Sequence, residues 1–145
     1  MPRFFHVAPI LLRPGSVILP GNWGRILRIY LRADDILFRE YVLEEIRKSK
    51  YPTKPSRLNA VFLLETFEEA LWYKNHLANT NLVYEVDAET EGVVIHRGDY
   101  TKVGPVNQPM LDAVPRYAEE YWSRVPTERI EVVFPNAITV VAKRD

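Results

Sequence analysis

One carboxylate stands in an apolar setting near the end of the chain. Glu131 lies between Ile130 and Val132 in the run Ile-Glu-Val-Val-Phe, whose apolar residues are typical of a strand. Burying a carboxylate among aliphatic side chains is costly unless a partner or a ligand stabilises its charge. Glu131 therefore either ends its strand in water or serves a cleft. It is the strongest single candidate for a catalytic residue.

Three aromatic residues indicate a ligand wall near the middle of the chain. Phe62 lies in the apolar segment 58–64, which predicts a short strand buried on both faces. Trp72 and Tyr73 follow in the second turn of a helix predicted to begin at Phe67. Across such a strand-to-helix corner the rings could hold a flat ligand between aromatic faces. Taken singly, each ring could equally belong to the core.

A histidine and two arginines could contact the polar parts of such a ligand. His6 lies at the centre of a short aromatic and β-branched strand predicted over 4–8. Arg57 stands at the entrance to the central strand, and Arg25 follows two Pro-Gly turns and could reach a phosphate. A single histidine in a strand is more often structural than catalytic, so the roles of these residues depend on their lying together.

The residue types exclude several other kinds of site. The sequence has no cysteine, which excludes disulfides, thiolate nucleophiles and cysteine-ligated metals. His6, His76 and His96 lie far apart without metal-ligand spacing, so we expect no dedicated metal site. The chain has no P-loop, no G-x-S-x-G and no G-x-G-x-x-G after a strand, which weakens the hydrolase, nucleotidase and Rossmann interpretations.

The charges of the chain balance. Nineteen basic and nineteen acidic residues give no global field to hold nucleic acid or an anionic membrane, although a local basic patch stays open. The first residues lack the apolar run of a signal peptide, and no segment approaches the ~18 residues of a membrane span. We therefore expect a soluble cytoplasmic protein that does not bind a membrane.

The elements that must position these residues mix helices with hairpins. At 145 residues and 47% hydrophobic content, the chain 1–145 suits a single domain. Three helices are predicted: from Asp35 to the Tyr51-Pro52 step, from Phe67 to about residue 78, and over 112–122 with Asp112 or the Val114-Pro115 step as its start. The predicted strands are 4–8 and 58–64, a hairpin of 82–88 with 93–97, and a closing hairpin of 129–134 with 137–142. This order predicts an α+β fold without regular βαβ alternation.

Local signals within these elements also bear on the site. Thr66 and Glu69 have the spacing of a capping box, which fixes the second helix start at Phe67. The charged residues of the first helix are interpreted as a solvated face, with Asp35 as its N-cap. Residues 13–25 are expected to form an ordered loop or small hairpin, with a tryptophan that plugs the core.

Taken in order, the motifs resemble the ADP-ribosyltransferase superfamily, in the H-Y-E branch typified by diphtheria toxin and the poly(ADP-ribose) polymerases. Phe-Phe-His6-Val-Ala resembles the first-strand motif of that family. The run from Pro55 to Thr66, with Ala-Leu-Trp-Tyr73, resembles its nicotinamide pocket at a strand-to-helix corner. Ile-Glu131-Val-Val-Phe resembles the catalytic-glutamate strand of DarT-like DNA-modifying toxins. The resemblance covers most of the chain, and each motif is short.

The resemblance implies an NAD-dependent ADP-ribosyltransferase with two small antiparallel sheets around an NAD cleft. Loss of nicotinamide leaves a ribosyl group with oxocarbenium character, which Glu131 would stabilise. Phe62 and Tyr73, beside Trp72, would bind the cationic nicotinamide ring by stacking and cation–π attraction, about 0.5–2 kcal/mol per face. His6 would contact a ribose hydroxyl, so that His6 and Glu131 both open into the cleft.

The resemblance also implies the remaining ligand contacts and the partners. Arg57 would pair with the pyrophosphate, Arg25 would be a further contact, and NAD would be consumed as a substrate without a metal. The acceptor would be a protein, DNA or RNA in a toxin-like reaction. Phe62 stands where the family carries tyrosine. Arg129 stands where arginine-modifying members carry Glu or Gln, so arginine is not indicated as the acceptor.

Two other functions stay open at this stage. His76 leaves room for a relation to the tRNA 2′-phosphotransferases, which share the fold and consume NAD while removing a phosphate from RNA. The chain could also be a non-catalytic domain on the same scaffold that binds a nucleotide or a protein. Nicotinamide release from NAD distinguishes an enzyme from a binding domain.

Overall fold

The computed structural model describes residues 2–31, 34–105 and 107–145. Within these ranges the fold is α+β, with four α-helices and two antiparallel sheets. The strands are β1 Arg3–Ala8, β2 Val17–Ile18, β3 Val61–Leu63, β4 Leu82–Asp87, β5 His96–Asp99, β6 Ile130–Phe134 and β7 Ile138–Lys143. The helices are α1 Asn22–Arg28, α2 Asp35–Lys50, α3 Phe67–Leu77 and α4 Met110–Ser123, and 3₁₀ turns lie at Arg57–Asn59 and Tyr100–Lys102.

The predicted pair of antiparallel sheets is confirmed. One sheet has the strand order β1-β4-β7-β2, and the other has the order β3-β6-β5. Phe5 and Leu64 join the sheets, because each donates its backbone N–H to the other's carbonyl at 2.8 Å. This bridge brings β1, with His6, beside the strand that carries Phe62.

Both predicted hairpins are wrong. β4 and β5 lie in different sheets, and so do β6 and β7. The reason is visible in β6, where Glu131 to Phe134 are all buried because the strand lies between β3 and β5. A strand buried on both faces needs the centre of a covered sheet, whereas β7 alternates between buried and partly exposed residues as a strand with one face on the core does. The short link of residues 135–137 therefore carries the chain from one sheet to the other.

A helix occupies part of the segment expected to be a loop or hairpin, which makes four helices instead of three. Gly21 precedes α1 with a φ of 103°. A Cβ atom on Gly24 would lie 2.0 Å from the carbonyl oxygen of Leu58, so α1 packs backbone to backbone against the first 3₁₀ turn. The two Pro-Gly pairs before this helix are typical of turns, so the sequence pattern does not indicate a helix here. Trp23 is partly exposed and lines cavities, so it does not plug the core.

The other helices match their predictions in most respects. α2 ends at Lys50 as expected, but its N-cap is Asp34, which accepts the backbone N–H of Leu37 at 3.0 Å. α3 begins at Phe67, with the Thr66 hydroxyl accepting the N–H of Glu69 at 3.1 Å.

The boundaries of α4 and of the central strand differ from those predicted. α4 begins two residues before its predicted start and continues through Pro115. The predicted strand 58–64 divides into a 3₁₀ turn and the three residues of β3. Ser56 favours the turn, because its hydroxyl accepts the backbone N–H of Leu58 at 3.2 Å. None of the described helices combines the length and apolarity needed to cross a lipid bilayer.

Candidate functional site

Four polar side chains from four elements form a buried network, which we call the Arg57 network. Its members are Glu40 on α2, Arg57 in the first 3₁₀ turn, Tyr121 on α4 and Glu131 on β6. Arg57 donates to Glu40 Oε1 through Nη2 at 2.8 Å and to Glu40 Oε2 through Nε at 3.0 Å. Its Nη1 donates to the Tyr121 hydroxyl at 2.8 Å and to Glu131 Oε2, and that hydroxyl donates to the same Glu131 oxygen at 2.6 Å.

The protonation of the Arg57 network follows from its burial and charges. Glu40, Arg57 and Glu131 expose only 2%, 7% and 4% of their surface. Burial lowers the pKa of Arg57, but attraction to Glu131 and Glu40 outweighs it and holds the pKa well above the ordinary value. Burial and the Glu131 charge raise the pKa of Tyr121 well above that of a free tyrosine. Arg57 is therefore charged, and Tyr121 is a neutral hydrogen-bond donor.

Local packing fixes two members of the network. The Ser56 hydroxyl caps the 3₁₀ turn that holds Arg57 and donates to Glu44 at 2.9 Å. Gly98 on β5 lies under the Tyr121 ring, where an added Cβ would be 2.4 Å from the ring carbon Cε2. These contacts tie the guanidinium and the phenol to the scaffold.

Three members of the network, Glu40, Arg57 and Glu131, line a cavity of about 570 Å³, which we call the first cavity. This volume lies in the range of small-molecule sites. Its aromatic lining residues are Trp23, Phe62, Trp72, Tyr73 and Tyr100. Its charged lining residues are Arg39, Glu40, Arg57 and Glu131. The first cavity thus combines aromatic rings with the buried carboxylate that the sequence singles out.

The three predicted aromatic residues differ in how much of each ring is free. The Trp72 ring has the Arg129 guanidinium 3.7 Å from its centre and the His76 ring stacked at 4.0 Å. Two groups this close to one ring centre would overlap on the same face, so they cover both faces of Trp72. One face of Phe62 is covered by Arg57 at 4.7 Å. Tyr73 meets Tyr100 edge-on at 5.2 Å, and both Tyr73 and Phe62 line the first cavity.

His6 lines a second cavity, also of about 570 Å³, together with Arg25. Trp23 and Phe62 line both cavities, so the two adjoin. The structure therefore places His6 and Glu131 in neighbouring cavities rather than in one.

The hydrogen bond of His6 defines its tautomer. Nδ1 lies 2.8 Å from the carbonyl oxygen of Phe62, and because a carbonyl only accepts, Nδ1 carries the hydrogen. Burial lowers the pKa of His6, against the opposing effect of that hydrogen bond. The imidazole is therefore neutral at pH 7, and Nε2 is a hydrogen-bond acceptor.

Residues 23–145 match the family described as protein of unknown function DUF2441. The chain belongs to this family. No curated protein matches the chain by sequence. The family match contains the whole Arg57 network and the lining of the first cavity, whereas His6 on β1 precedes it.

The structure brings most of the predicted site residues together. Phe62, Trp72, Tyr73, Arg57 and Glu131 line the first cavity, and the remaining two line the second. Arg57 was expected to contact a pyrophosphate, but its Nε, Nη1 and Nη2 groups all donate to protein acceptors.

Sequence reasoning missed Glu40, Tyr121, Arg39 and Trp23 as site residues. The charges of α2 are not one solvated face, since Glu40 is buried beside Leu43. Glu40 and Leu43 are three residues apart, which places them on the same side of a helix. This spacing was the sequence signal that could have indicated the burial of Glu40. The α1 residue Trp23 was hidden by the Pro-Gly turns before it.

Proposed function

We propose that this protein is an NAD-dependent ADP-ribosyltransferase. Its reaction breaks the bond between the nicotinamide nitrogen and ribose C1′, with the electron pair leaving on nicotinamide. A nucleophile of a macromolecular acceptor, a protein, DNA or RNA, then bonds to C1′ and loses a proton. The observation that carries the proposal is Glu131, a carboxylate 4% exposed that lines a cavity together with aromatic side chains.

Glu131 has the surroundings that a cation-stabilising carboxylate needs. Its Oε2 accepts hydrogen bonds from Arg57 and Tyr121, which fix the carboxylate in place. Its Oε1 accepts none from the described residues, so one oxygen is left for a ligand. A preorganised charge in a buried site stabilises the oxocarbenium-like transition state without reorganisation.

The two adjoining cavities suit the two halves of a dinucleotide. In the proposed complex, nicotinamide lies between Tyr73 and Phe62, close to Glu131. His6 Nε2 accepts a hydrogen bond from a ribose hydroxyl in the second cavity, where Arg25 supplies a positive charge. Phe62, common to both cavities, separates the two halves.

This proposal changes the roles of two predicted residues. Arg57 positions Glu131 and covers one face of Phe62 instead of holding the pyrophosphate. Trp72, with Arg129 and His76 on its faces, supports the cavity wall instead of stacking on nicotinamide. The two sheets joined at the Phe5–Leu64 bridge would be the split sheets of the ADP-ribosyltransferase fold.

One observation favours a second candidate, a domain without catalytic activity that binds a nucleotide. Glu131 is bonded to Arg57 and Tyr121, and a carboxylate in such a network can serve stability alone. The two candidates differ in what Glu131 contributes. A structural carboxylate affects folding, whereas a catalytic one affects turnover at constant fold.

The decisive experiment compares Glu131→Gln with Glu40→Gln in nicotinamide release from NAD, with protein, DNA and RNA acceptors offered in turn. Both substitutions remove one carboxylate charge from Arg57, so they are matched in their effect on the network. We expect Glu131→Gln to lower turnover by about 100-fold or more with little change in NAD affinity, because its charge acts mainly in the transition state. Glu40→Gln should lower turnover by less than about tenfold. Its loss of thermal stability should be similar to that of Glu131→Gln.

The transferase proposal fails if wild type releases no nicotinamide with any acceptor. It also fails if Glu131→Gln releases nicotinamide at the wild-type rate. NAD binding without release would favour the non-catalytic domain.

A further inference from the structure

Two residues that line the first cavity each carry a buried donor that has no hydrogen-bond partner among the described residues. The donors are the indole Nε1 of Trp23 and the guanidinium Nε of Arg39. Buried N–H groups are nearly always paired, because an unpaired one loses its hydration without compensation. Both are donors only, so the missing partner is an acceptor. We infer that Trp23 and Arg39 form a binding subsite for the diphosphate of a nucleotide, an inference that rests on the proposed function.

The charge of Arg39 sets it apart from the other arginine of the cavity. Arg57 lies between Glu40 and Glu131 and is neutralised by them. Arg39 makes no hydrogen bond and no ion pair with any residue in the described ranges, although it is partly buried. A buried N–H of a guanidinium is costly to leave unpaired, and phosphate oxygens match the planar fork of its donors. The ligand at this point is therefore an anion.

The place of Trp23 indicates a diphosphate rather than an isolated anion. Its ring lines the first cavity with Glu131 and the second cavity with His6. A ligand that extends from one cavity to the other thus passes Trp23, which is common to both linings. In a dinucleotide that fills both, the group at this junction is the linking diphosphate.

Gly104 provides a way to move Arg39 without removing its charge. A Cβ atom at position 104 would lie 2.3 Å from Arg39 Nη1 and 3.0 Å from Cζ. The guanidinium would have to shift away, which it can do because it ends a flexible side chain. Gly104→Ala therefore changes the position of the charge, and Arg39→Gln removes it.

The test is isothermal titration calorimetry of ADP and of adenosine, which differ by the diphosphate alone. Wild type should bind ADP at least tenfold more tightly than adenosine. Arg39→Gln should lower ADP affinity about tenfold or more and leave adenosine unchanged, since hydrogen bonds to charged groups are the strong ones. Trp23→Phe, which keeps the ring and removes the N–H, should lower ADP affinity about threefold or more. Gly104→Ala should weaken ADP binding with the net charge unchanged.

Arg28→Gln is the matched control, because Arg28 is exposed on α1 and lines neither of the two cavities. It should leave the ADP affinity at the wild-type value. Thermal unfolding of each variant shows that it is folded.

The outcomes test the diphosphate subsite independently of the transferase reaction. If wild type binds ADP no better than adenosine, or if folded Arg39→Gln and Gly104→Ala both bind ADP as wild type does, the subsite is refuted. If ADP binding depends on Arg39 but NAD yields no nicotinamide, the subsite stands and the transferase proposal falls.

Discussion

The two oxygens of Glu131 have different surroundings, and this difference is the basis of the proposed chemistry. Oε2 accepts from Arg57 and Tyr121, so removing either donor would loosen the carboxylate. Oε1 accepts no hydrogen bond from a described residue, and in the proposed complex it is the oxygen next to the ribose. A single side chain is therefore part of the Arg57 network through one oxygen and also lines the first cavity.

His6 allows a prediction about pH at the level of a single residue. Its neutral form carries hydrogen on Nδ1 and can accept a ribose hydroxyl at Nε2, whereas the protonated form cannot accept. Burial lowers its pKa below the ordinary 6.5, so NAD affinity should be constant from pH 8 to 6.5 and fall at lower pH. The measurement is calorimetric NAD binding at several pH values in a Glu131→Gln background, which prevents turnover.

His6→Gln is the control for this pH dependence, because glutamine does not titrate. The His6→Gln protein should bind NAD more weakly than the protein with His6. Its NAD affinity should not show the decline at low pH that protonation of His6 causes. If the protein with His6 bound NAD more tightly at lower pH, His6 would donate a hydrogen bond to the ligand, contrary to the assigned tautomer.

In the proposed complex Tyr73 contributes a ring face, and its hydroxyl makes no hydrogen bond with any described residue. Tyr73→Ala should therefore weaken NAD binding by about 3- to 10-fold, the range expected for one aromatic contact. Tyr73→Phe keeps the face and should change the affinity by less than about twofold. Equal losses in the two variants would assign the role to the hydroxyl, and no loss in either would place Tyr73 in the core.

At the level of elements, the Arg57 network joins α2, α4 and β6 to the first 3₁₀ turn. Arg57→Met would leave Glu40 and Glu131 buried without their cation, which should lower the free energy of unfolding by about 3–5 kcal/mol. Urea denaturation measures this loss. Arg97→Met is the control: its pair with Glu65 is largely exposed, so it should change stability by less than about 1 kcal/mol. Similar losses in the two variants would mean that the network contributes no more than a surface ion pair.

The elements also show what the sequence could predict. Caps and proline steps are local, so the start of α3 at Phe67 and the end of α2 at Lys50 follow from a few neighbouring residues. Strand pairing is not local. The segments around Pro135 have the alternation and turn signal of a hairpin, yet each strand pairs with segments far away in the chain. The apolar pattern specifies which face is buried, but not which neighbour buries it.

The same limit applies to the site. Glu131 could be singled out because its neighbours are aliphatic, and the aromatic corner because its residues are close in sequence. Tyr121 and Glu40 could not be joined to Arg57, since they lie 64 and 17 residues away along the chain. Only the packing of α2 and α4 against the sheet of β3, β6 and β5 brings Glu40 and Tyr121 to Arg57.

For the whole molecule, the balanced net charge conceals an uneven distribution. Residues 2–31 contain arginines at positions 3, 13, 25 and 28 and no aspartate or glutamate. Arg25 from this segment lines the second cavity, and Arg39 lines the first. Composition therefore excludes a global field but says nothing about the positive charge beside the proposed dinucleotide site.

Global stability should depend on pH through His96 on β5, whose ring packs against Tyr121 and Trp122 of α4. The ring is 5% exposed, packs at 4.7 Å from Trp122 and donates from Nε2 to the carbonyl of Tyr121 at 3.0 Å. Burial, with the nearby charge of Lys54, lowers the pKa of His96 from 6.5 to about 4. The unfolded chain therefore binds more protons than the folded one between these two pH values.

It follows that the free energy of unfolding decreases as the pH falls from 6.5 to 4, by a total of about 3 kcal/mol from this residue. Above pH 7 the imidazole is neutral in both states and contributes no pH dependence. His96→Gln keeps an N–H donor for the Tyr121 carbonyl and removes the titration, so its urea-denaturation stability should fall less steeply over that interval. The comparison is the difference between the two proteins at each pH, because other groups titrate equally in both. Parallel curves would show that His96 either is not buried in the folded state or is protonated there without penalty.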